Sequence, residues 1–289
     1  MIGSSELIIN KDGSIFHLHL KPNQVADTVL LVGDPGRVEL IASYFSNIEF
    51  KIKNREFVST TGTYNNKRIT VISTGIGTDN IDIVLNELDA LVNIDLKTKE
   101  IKKEKRSLKI VRIGTSGALQ KNLPVNSYII SRKAIGFDGL LNFYAGRRQV
   151  SDLDFERNFV AHTEWNPYLG KPYVVNSSDH LYELLKGDGF HDGVTISAPG
   201  FYGPQGRVLR LDIADPCLND KVESFCYNDF QITNYEMECS AIYGLSALLG
   251  HEALTICLII ANRTTKQASK NYHPHMEKLI QLVLDKLTT

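Results

Sequence analysis

Three turns of this sequence set glycine beside a small hydroxylated or cationic residue at the end of an apolar run. They are Gly33-Asp-Pro-Gly-Arg37, Thr74-Gly-Ile-Gly-Thr-Asp79 and Gly114-Thr-Ser-Gly117. Glycine lets the backbone come close to an oxyanion, and successive N–H groups in such a turn form an anion-binding nest. Arg37 and Arg112 add charge-assisted contacts of the kind phosphate oxygens accept, and the Thr115 hydroxyl can donate to the same group. One such turn is routine at a strand end; two that carry an arginine make a pattern. The middle turn begins like the dinucleotide fingerprint G-x-G-x-x-G, with Asp95 downstream, but Asn80 stands where the third glycine belongs.

A second group of chemically capable residues lies in Asn234-Tyr-Glu-Met-Glu238. Glu236 and Glu238 would point to the same side of an extended backbone, where a strand hands over to a helix. Acidic residues there are also favoured simply by the positive end of the helix dipole. As an acid–base pair they would stand ~7 Å apart by backbone rise, a spacing compatible with an inverting glycoside hydrolase. The loop Phe201-Tyr-Gly-Pro-Gln-Gly-Arg207 presents an aromatic face, an amide and a guanidinium within seven positions. An amide offers a donor and an acceptor, and a guanidinium donors only, which suits a planar ring with adjacent carbonyl and imide groups, such as uracil. His17/His19 and His273/His275 form two close pairs, but a metal site wants three or four ligands and none completes them, so no metal is expected.

The elements that must position these groups alternate between strand and helix. Asp27–Val32, Arg55–Thr63 and Arg68–Ser73 read as strands, the last two joined at Asn65-Asn66, where left-handed backbone is tolerated. Helices are expected over Val38–Phe45 and after Asp79, where Leu85, Leu88 and Val92 share a stripe. Ile110–Ala118 reads as a strand breaking at glycine. Ser127–Ala134, Tyr173–Asn176, Gly193–Ser197 and the start of Phe230–Thr233 are further strands, with a helical segment at Leu181–Leu185. Ala253–Ala261 is nearly all apolar, as a strand covered on both faces would be. Helices over Ser240–Leu249 and His275–Leu287 complete the pattern. Lys97–Arg106, dense in charge, reads as a solvated loop or frayed helix end. With no Pro/Ser/Gly-rich linker, residues 1–289 are expected to form one α/β domain with a largely buried sheet.

The totals narrow the function classes. The 289 residues are 43% hydrophobic and 22% charged, an ordinary globular composition. Thirty-two basic against 33 acidic residues leave no field that would draw nucleic acid or an anionic membrane. Four cysteines without C-x-x-C spacing read as free thiols of a reducing compartment. Residues 1–14 hold no apolar signal core, and no run is long enough to span a bilayer. A soluble cytoplasmic protein is expected.

Taken in order, Phe16-His-Leu18, Gly33-Asp-Pro-Gly-Arg37, Arg55-Glu-Phe57, Ser73-Thr-Gly-Ile-Gly77, Arg112-Ile-Gly-Thr-Ser-Gly117, Phe201-Tyr-Gly-Pro-Gln-Gly-Arg207, Asn234-Tyr-Glu-Met-Glu238 and Asn262-Arg263 resemble the uridine phosphorylases. These are the pyrimidine branch of the nucleoside phosphorylases. Each piece is short, and their order along nearly the whole chain makes the match specific. The resemblance implies a three-layer α/β/α sandwich with a central mixed sheet. It also implies phosphorolysis of uridine, or of another pyrimidine nucleoside, with inorganic phosphate as co-substrate and no cofactor. It assigns phosphate to Gly33, Arg37, Arg112 and Thr115, with Arg55 reaching in from a neighbouring subunit. Ribose falls to Met237 and Glu238, with His17 of the neighbour at the 5′-hydroxyl. The base falls to Phe201, Gln205 and Arg207. Arg112, Gln205 and Arg207 are thereby the residues expected to carry catalysis. Shared sites imply a homodimer or a hexamer built as a trimer of dimers.

The sequence departs from this family at three places. Where some members bind an inter-subunit K⁺ through a glutamate and a serine, it has Glu56 and Asn80. Lys97–Arg106 looks like an insertion, and the base loop has Gly-Pro where Pro-Gly is common. The competing reading is a purine nucleoside phosphorylase or a nucleosidase on the same fold. Purine-cleaving members carry an aspartate at the position of Asn262, to protonate the leaving base.

Overall fold

In the strand Thr28–Val32, Val29 and Leu31 face one apolar cluster, while Leu30 and Val32 face another. That alternation is the period of two expected of a strand covered on both sides. The computed structural model describes residues 2–187 and 189–289. Its main strands are β1 (Thr28–Val32), β2 (Asn47–Asn54), β3 (Phe57–Tyr64), β4 (Lys67–Ser73), β5 (Lys109–Ala118), β6 (Tyr128–Gly136), β7 (Tyr173–Asn176), β8 (Phe190–Ser197), β9 (Phe230–Glu236) and β10 (Glu252–Asn262). The main helices are α1 (Pro35–Ala42), α2 (Thr78–Asn93), α3 (Leu153–Thr163), α4 (Asp179–Leu185), α5 (Leu218–Ser224), α6 (Cys239–Leu249) and α7 (His273–Thr288).

The strands form one mixed sheet in the order β9-β8-β6-β10-β5-β1-β4-β3-β2. β1 pairs in parallel with β4 and β5, and β5 in parallel with β10, whereas β2, β3 and β4 form an antiparallel meander. Ile81, Leu85 and Leu88 of α2 and Ile242 and Leu245 of α6 pack on one face. Val38 and Ile41 of α1, Leu181 of α4 and Leu279 and Val283 of α7 pack on the other. This is the helix–sheet–helix layering that the family resemblance implied.

One pairing matters most for the site. The end of β9 turns back onto β5, with Tyr235 opposite Gly117 and Asn234 opposite Ala118 in antiparallel register. Strands β5, β10, β6, β8 and β9 thereby close into a ring, and the last residue of β9, Glu236, arrives beside the strand that carries Arg112.

Several expectations need correction. β5 does not break at glycine: it continues through Gly114, Thr115 and Ser116, paired with Cys257, Leu258 and Ile259 of β10. Lys97–Arg106 is largely the exposed loop expected, with one short hairpin inside it and no helix end. Ile94–Asp95 pairs antiparallel with Glu100–Ile101, and the Asp95 carboxylate accepts the N–H groups of Lys97 and Thr98. Three of its cations donate to backbone carbonyls: Lys99 to Leu7, Lys102 to Val92 and Arg106 to Val25. β2, α3 and α5 lay outside the expected elements. β2 is an edge strand in which Ile48, Phe50 and Ile52 alternate with Glu49, Lys51 and Lys53, and only its later apolar residues are partly covered. The turn at Asn65 and Asn66 is left-handed as expected, with φ of 45° and 60°. Among the described residues, no helix is long and apolar enough to cross a membrane.

Candidate active site

The carboxyl ends of β1, β4, β5 and β9 surround a cavity of about 560 Å³, the place where open α/β sheets generally take their ligands. Gly33, Arg37, Arg112, Thr115, Phe201, Gln205, Arg207, Met237 and Glu238 all line it. Residues from four separate stretches of sequence therefore converge on one space.

At one end lie two guanidinium groups. Asp34 caps α1 by accepting the Gly36 N–H at 2.9 Å, and Pro35 takes the first helical position, where its missing N–H costs nothing. That start places Arg37 to donate from Nη1 to the Ile113 carbonyl at 3.2 Å. Burial, and then the charge of Arg112, push the Arg37 guanidinium below its ordinary pKa. Among the described residues no carboxylate lies within ion-pair distance of it, and Asp34 offsets the charge only in part. The first two turns lie side by side: a Cβ on Gly33 would make ordinary contact with the Gly75 carbonyl oxygen, at 3.4 Å.

Arg112 is 5% exposed. Its Nη1 contacts Glu236 Oε2 at 3.2 Å and donates to Cys257 Sγ at 3.5 Å, and its Nη2 donates to Glu238 Oε2. Burial works against the Arg112 charge, but the two carboxylates overcome it and hold the group above its ordinary pKa. Nε is buried without a partner.

The two glutamates divide their work. Glu236 Oε1 accepts the Ser197 hydroxyl at 2.6 Å and the Cys239 N–H at 3.0 Å, and Oε2 accepts the Glu238 N–H at 3.0 Å. It thus serves the exposed donors at the start of α6 while bracing Arg112. Burial raises its pKa against the pull of Arg112. Glu238 sits at the N-cap of α6 and reaches across the cavity, where Oε1 accepts the Gly77 N–H at 2.8 Å. The helix-dipole reading of this acidic pair fits Glu236; Glu238 is aimed at the cavity.

At the other end, Gln205 is buried and Oε1 accepts from Arg207 Nη1, which also donates to the Phe201 carbonyl at 2.6 Å. The Arg207 guanidinium lies 3.8 Å above the Phe201 ring, a cation–π stack. Burial first, and Arg263 second, lower its pKa to about 10. Arg263 has one guanidinium nitrogen, Nη1, buried without a partner. This end of the cavity is therefore rich in donors and holds an aromatic platform.

Asn262 turns away from that space. It is 2% exposed, with Nδ2 donating to the carbonyls of Gln120 and Leu123 at 2.8 and 2.9 Å. Its Oδ1 accepts the N–H groups of Thr264 and Thr265 at 3.0 and 2.8 Å. Every polar atom of the side chain is spent on backbone.

Two expected residues do not line the cavity. Arg55 occupies the exposed turn between β2 and β3 with φ of 53°. His17 binds Glu87 through Nδ1 at 2.7 Å and packs edge-on against Phe57. Glu56 and Asn80 meet over Gly75, whose added Cβ would lie 2.6 Å from Asn80 Nδ2 and 3.2 Å from Glu56 Cγ. The second histidine pair opens α7, where His273 stacks on Tyr272.

Sequence reasoning missed Ser197 and Ser116. Ser197 stands opposite Glu236 in the β8–β9 register, a relation visible only once the strand order is known. Ser116 lines the cavity with a buried, unpartnered hydroxyl. Its place between Gly114 and Gly117 was the available signal.

Residues 27–287 match the family model described as the Phosphorylase superfamily. The chain is 29% identical to a uridine phosphorylase of Thermococcus kodakarensis over 273 residues, covering 92% of this chain and 84% of that protein. It is also 29% identical, over 244 residues, to a DeoD-type purine nucleoside phosphorylase of Bacillus subtilis, covering 84% and 85% of the two chains. Among solved structures it resembles a Trypanosoma brucei nucleoside phosphorylase described as showing uridine phosphorylase activity. That likeness has a TM-score of 0.88 at 31% identity and covers 97% of this chain and 99% of the other.

Proposed function

The chain belongs to the phosphorylase superfamily, and from that premise we propose that it catalyses the phosphorolysis of uridine to uracil and ribose 1-phosphate. The observation that carries the choice of base is the contrast between Asn262 and the Gln205–Arg207 pair. A purine leaving group needs an acid at its N7, and Asn262 can neither give up a proton nor leave its four backbone partners. A uracil anion needs donors at its carbonyl oxygens, and Gln205, Arg207 and the Phe201 ring supply donors and a platform.

In the reaction, phosphate lies under C1′, held by Arg37, Arg112, Thr115 and the Gly33 turn. One of its oxygens attacks C1′ as the glycosidic bond to N1 breaks. The bonding pair leaves with the base and spreads onto the uracil oxygens, where Arg207 and Gln205 meet it; water later supplies the proton. Charge of opposite sign thus develops at the two ends of the cavity, and each end is matched to it, as differential binding of the transition state requires. Met237 packs against the ribose and Glu238 accepts from its hydroxyls. No covalent enzyme intermediate is needed.

Arg55 and His17 enter from a neighbouring copy, Arg55 toward the phosphate and His17 toward the 5′-hydroxyl. This fits their position outside the cavity of their own chain and makes the working unit a homodimer, or a hexamer built from three such dimers. The reaction takes no cofactor. A K⁺ ion between subunits would draw on Glu56 and Asn80, and no step above runs through it. Free cysteines, two buried and two exposed, fit a reducing compartment, the cytoplasm.

A panel of uridine, thymidine, deoxyuridine, inosine and adenosine, each with and without phosphate, tests the proposal. Uracil released only when phosphate is present supports it. Hypoxanthine from inosine, or release without phosphate, would favour the purine phosphorylase or nucleosidase reading.

A further inference from the structure

Arg112 is the cation best placed to hold phosphate, yet both its terminal nitrogens are already engaged. Nη1 is committed to Glu236 and Cys257, so the side left for a bidentate oxyanion is the one made by Nη2 and the unpartnered Nε. Glu238 occupies Nη2. The two carboxylates differ in what would hold them if Arg112 let go. Glu236 is fixed by the Ser197 hydroxyl and by the N–H groups that open α6. Among the described residues Glu238 keeps a single further bond, from the Gly77 N–H to its other oxygen. Glu236 is therefore an anchor, and Glu238 can be exchanged.

We propose that Glu238 alternates between two partners: Arg112 while the site lacks phosphate, and the ribose hydroxyls once an oxyanion has taken its place on Arg112. Phosphate and nucleoside then promote each other's binding, because the first releases the acceptor that the second needs. By linkage the factor is the same in either direction. Glu236 is the positioning residue in this exchange, since it keeps Arg112 in place when Glu238 departs. The inference rests on the functional reading above, which supplies both ligands.

Calorimetric titration of the intact protein with inorganic phosphate tests it. Glu238→Gln removes the internal competitor and is expected to tighten phosphate about tenfold, within the range usual for coupled sites. Glu236→Gln is expected to weaken phosphate, because Arg112 loses its anchor. In wild type, uridine should bind about fivefold or more tightly when sulfate, a poor nucleophile, saturates the phosphate site; in Glu238→Gln that enhancement should vanish. Thermal melts of both variants establish that the titrated protein is folded.

Phosphate bound no more tightly by Glu238→Gln than by wild type would overturn the exchange. So would equal tightening in both variants, which is what removal of charge alone would give. A wild type that takes up no phosphate would remove the functional reading and the exchange together. Normal phosphate binding that ignores Glu238→Gln would remove the exchange alone.

Discussion

The guanidinium of Arg112 lies across the α-carbon of Gly114, so that a Cβ at position 114 would stand 2.0 Å from Nη1 and 2.7 Å from Cζ. Gly114 is thus the floor on which the buried cation rests. Gly114→Ala should leave the sheet intact, since position 114 takes ordinary strand pairing with Cys257, but it must displace Arg112 from both glutamates. A loss in kcat/KM of about 10²-fold or more is expected, the cost usual for removing one electrostatic stabiliser. Steady-state kinetics alongside a thermal melt would check this.

In the proposed reaction Arg207 meets charge that exists only as the base departs. Arg207→Ala should therefore lower kcat and kcat/KM by similar factors, about 10²–10³, while phosphate affinity stays near wild type. A rise in the KM for uridine with kcat unchanged would instead mean that Arg207 binds substrate and transition state alike.

Asn262→Asp is the substitution that would imitate a purine-cleaving relative. Here it should yield no release of hypoxanthine from inosine, because the side chain is turned toward backbone. It should also cost stability of about 1–3 kcal/mol, since the two N–H bonds to Gln120 and Leu123 are lost and a carboxylate oxygen meets their carbonyls. Denaturant titration reads the second effect and a nucleoside assay the first.

Asp152 gives a pH-dependent contribution away from the site. It caps α3 by accepting the Phe155 N–H at 3.0 Å and pairs with Lys133 at 2.8 Å. Burial alone would raise its carboxyl, and these bonds overcome that and hold it below the usual range. A depressed carboxylate contributes stability that is present above the unfolded value, about 3.9, and lost as pH falls through the folded one. Asp152→Ala should be less stable than wild type by about 1 kcal/mol near neutral pH, the usual worth of an N-cap. The gap should narrow as the pH falls from about 3.9 through the folded value, as melts across an acid series would record.

The parts of the site legible in the sequence were those whose chemistry is local. Gly33–Arg37 packs the glycines and arginine of the proposed phosphate site into five residues, and the proposed base loop holds its aromatic, amide and guanidinium within seven. The division of labour between Glu236 and Glu238 was not legible, because it depends on β9 returning to β5, a contact between residues more than a hundred positions apart. Gly114 illustrates the same limit. A glycine in a strand pattern usually signals a break or bulge, and here it makes room for a side chain two positions away. β2 went unread although Ile48, Phe50 and Ile52 alternate with Glu49, Lys51 and Lys53, a period-two pattern that was there to be read.

The central claim is that phosphate itself attacks the sugar, and an oxygen-18 label tests it most directly. With uridine and fully labelled phosphate in ordinary water, the ribose 1-phosphate formed should retain the label at the oxygen bridging phosphorus and C1′, as phosphorus NMR would show. Free ribose carrying an oxygen from water, with the phosphate unchanged, would contradict the account.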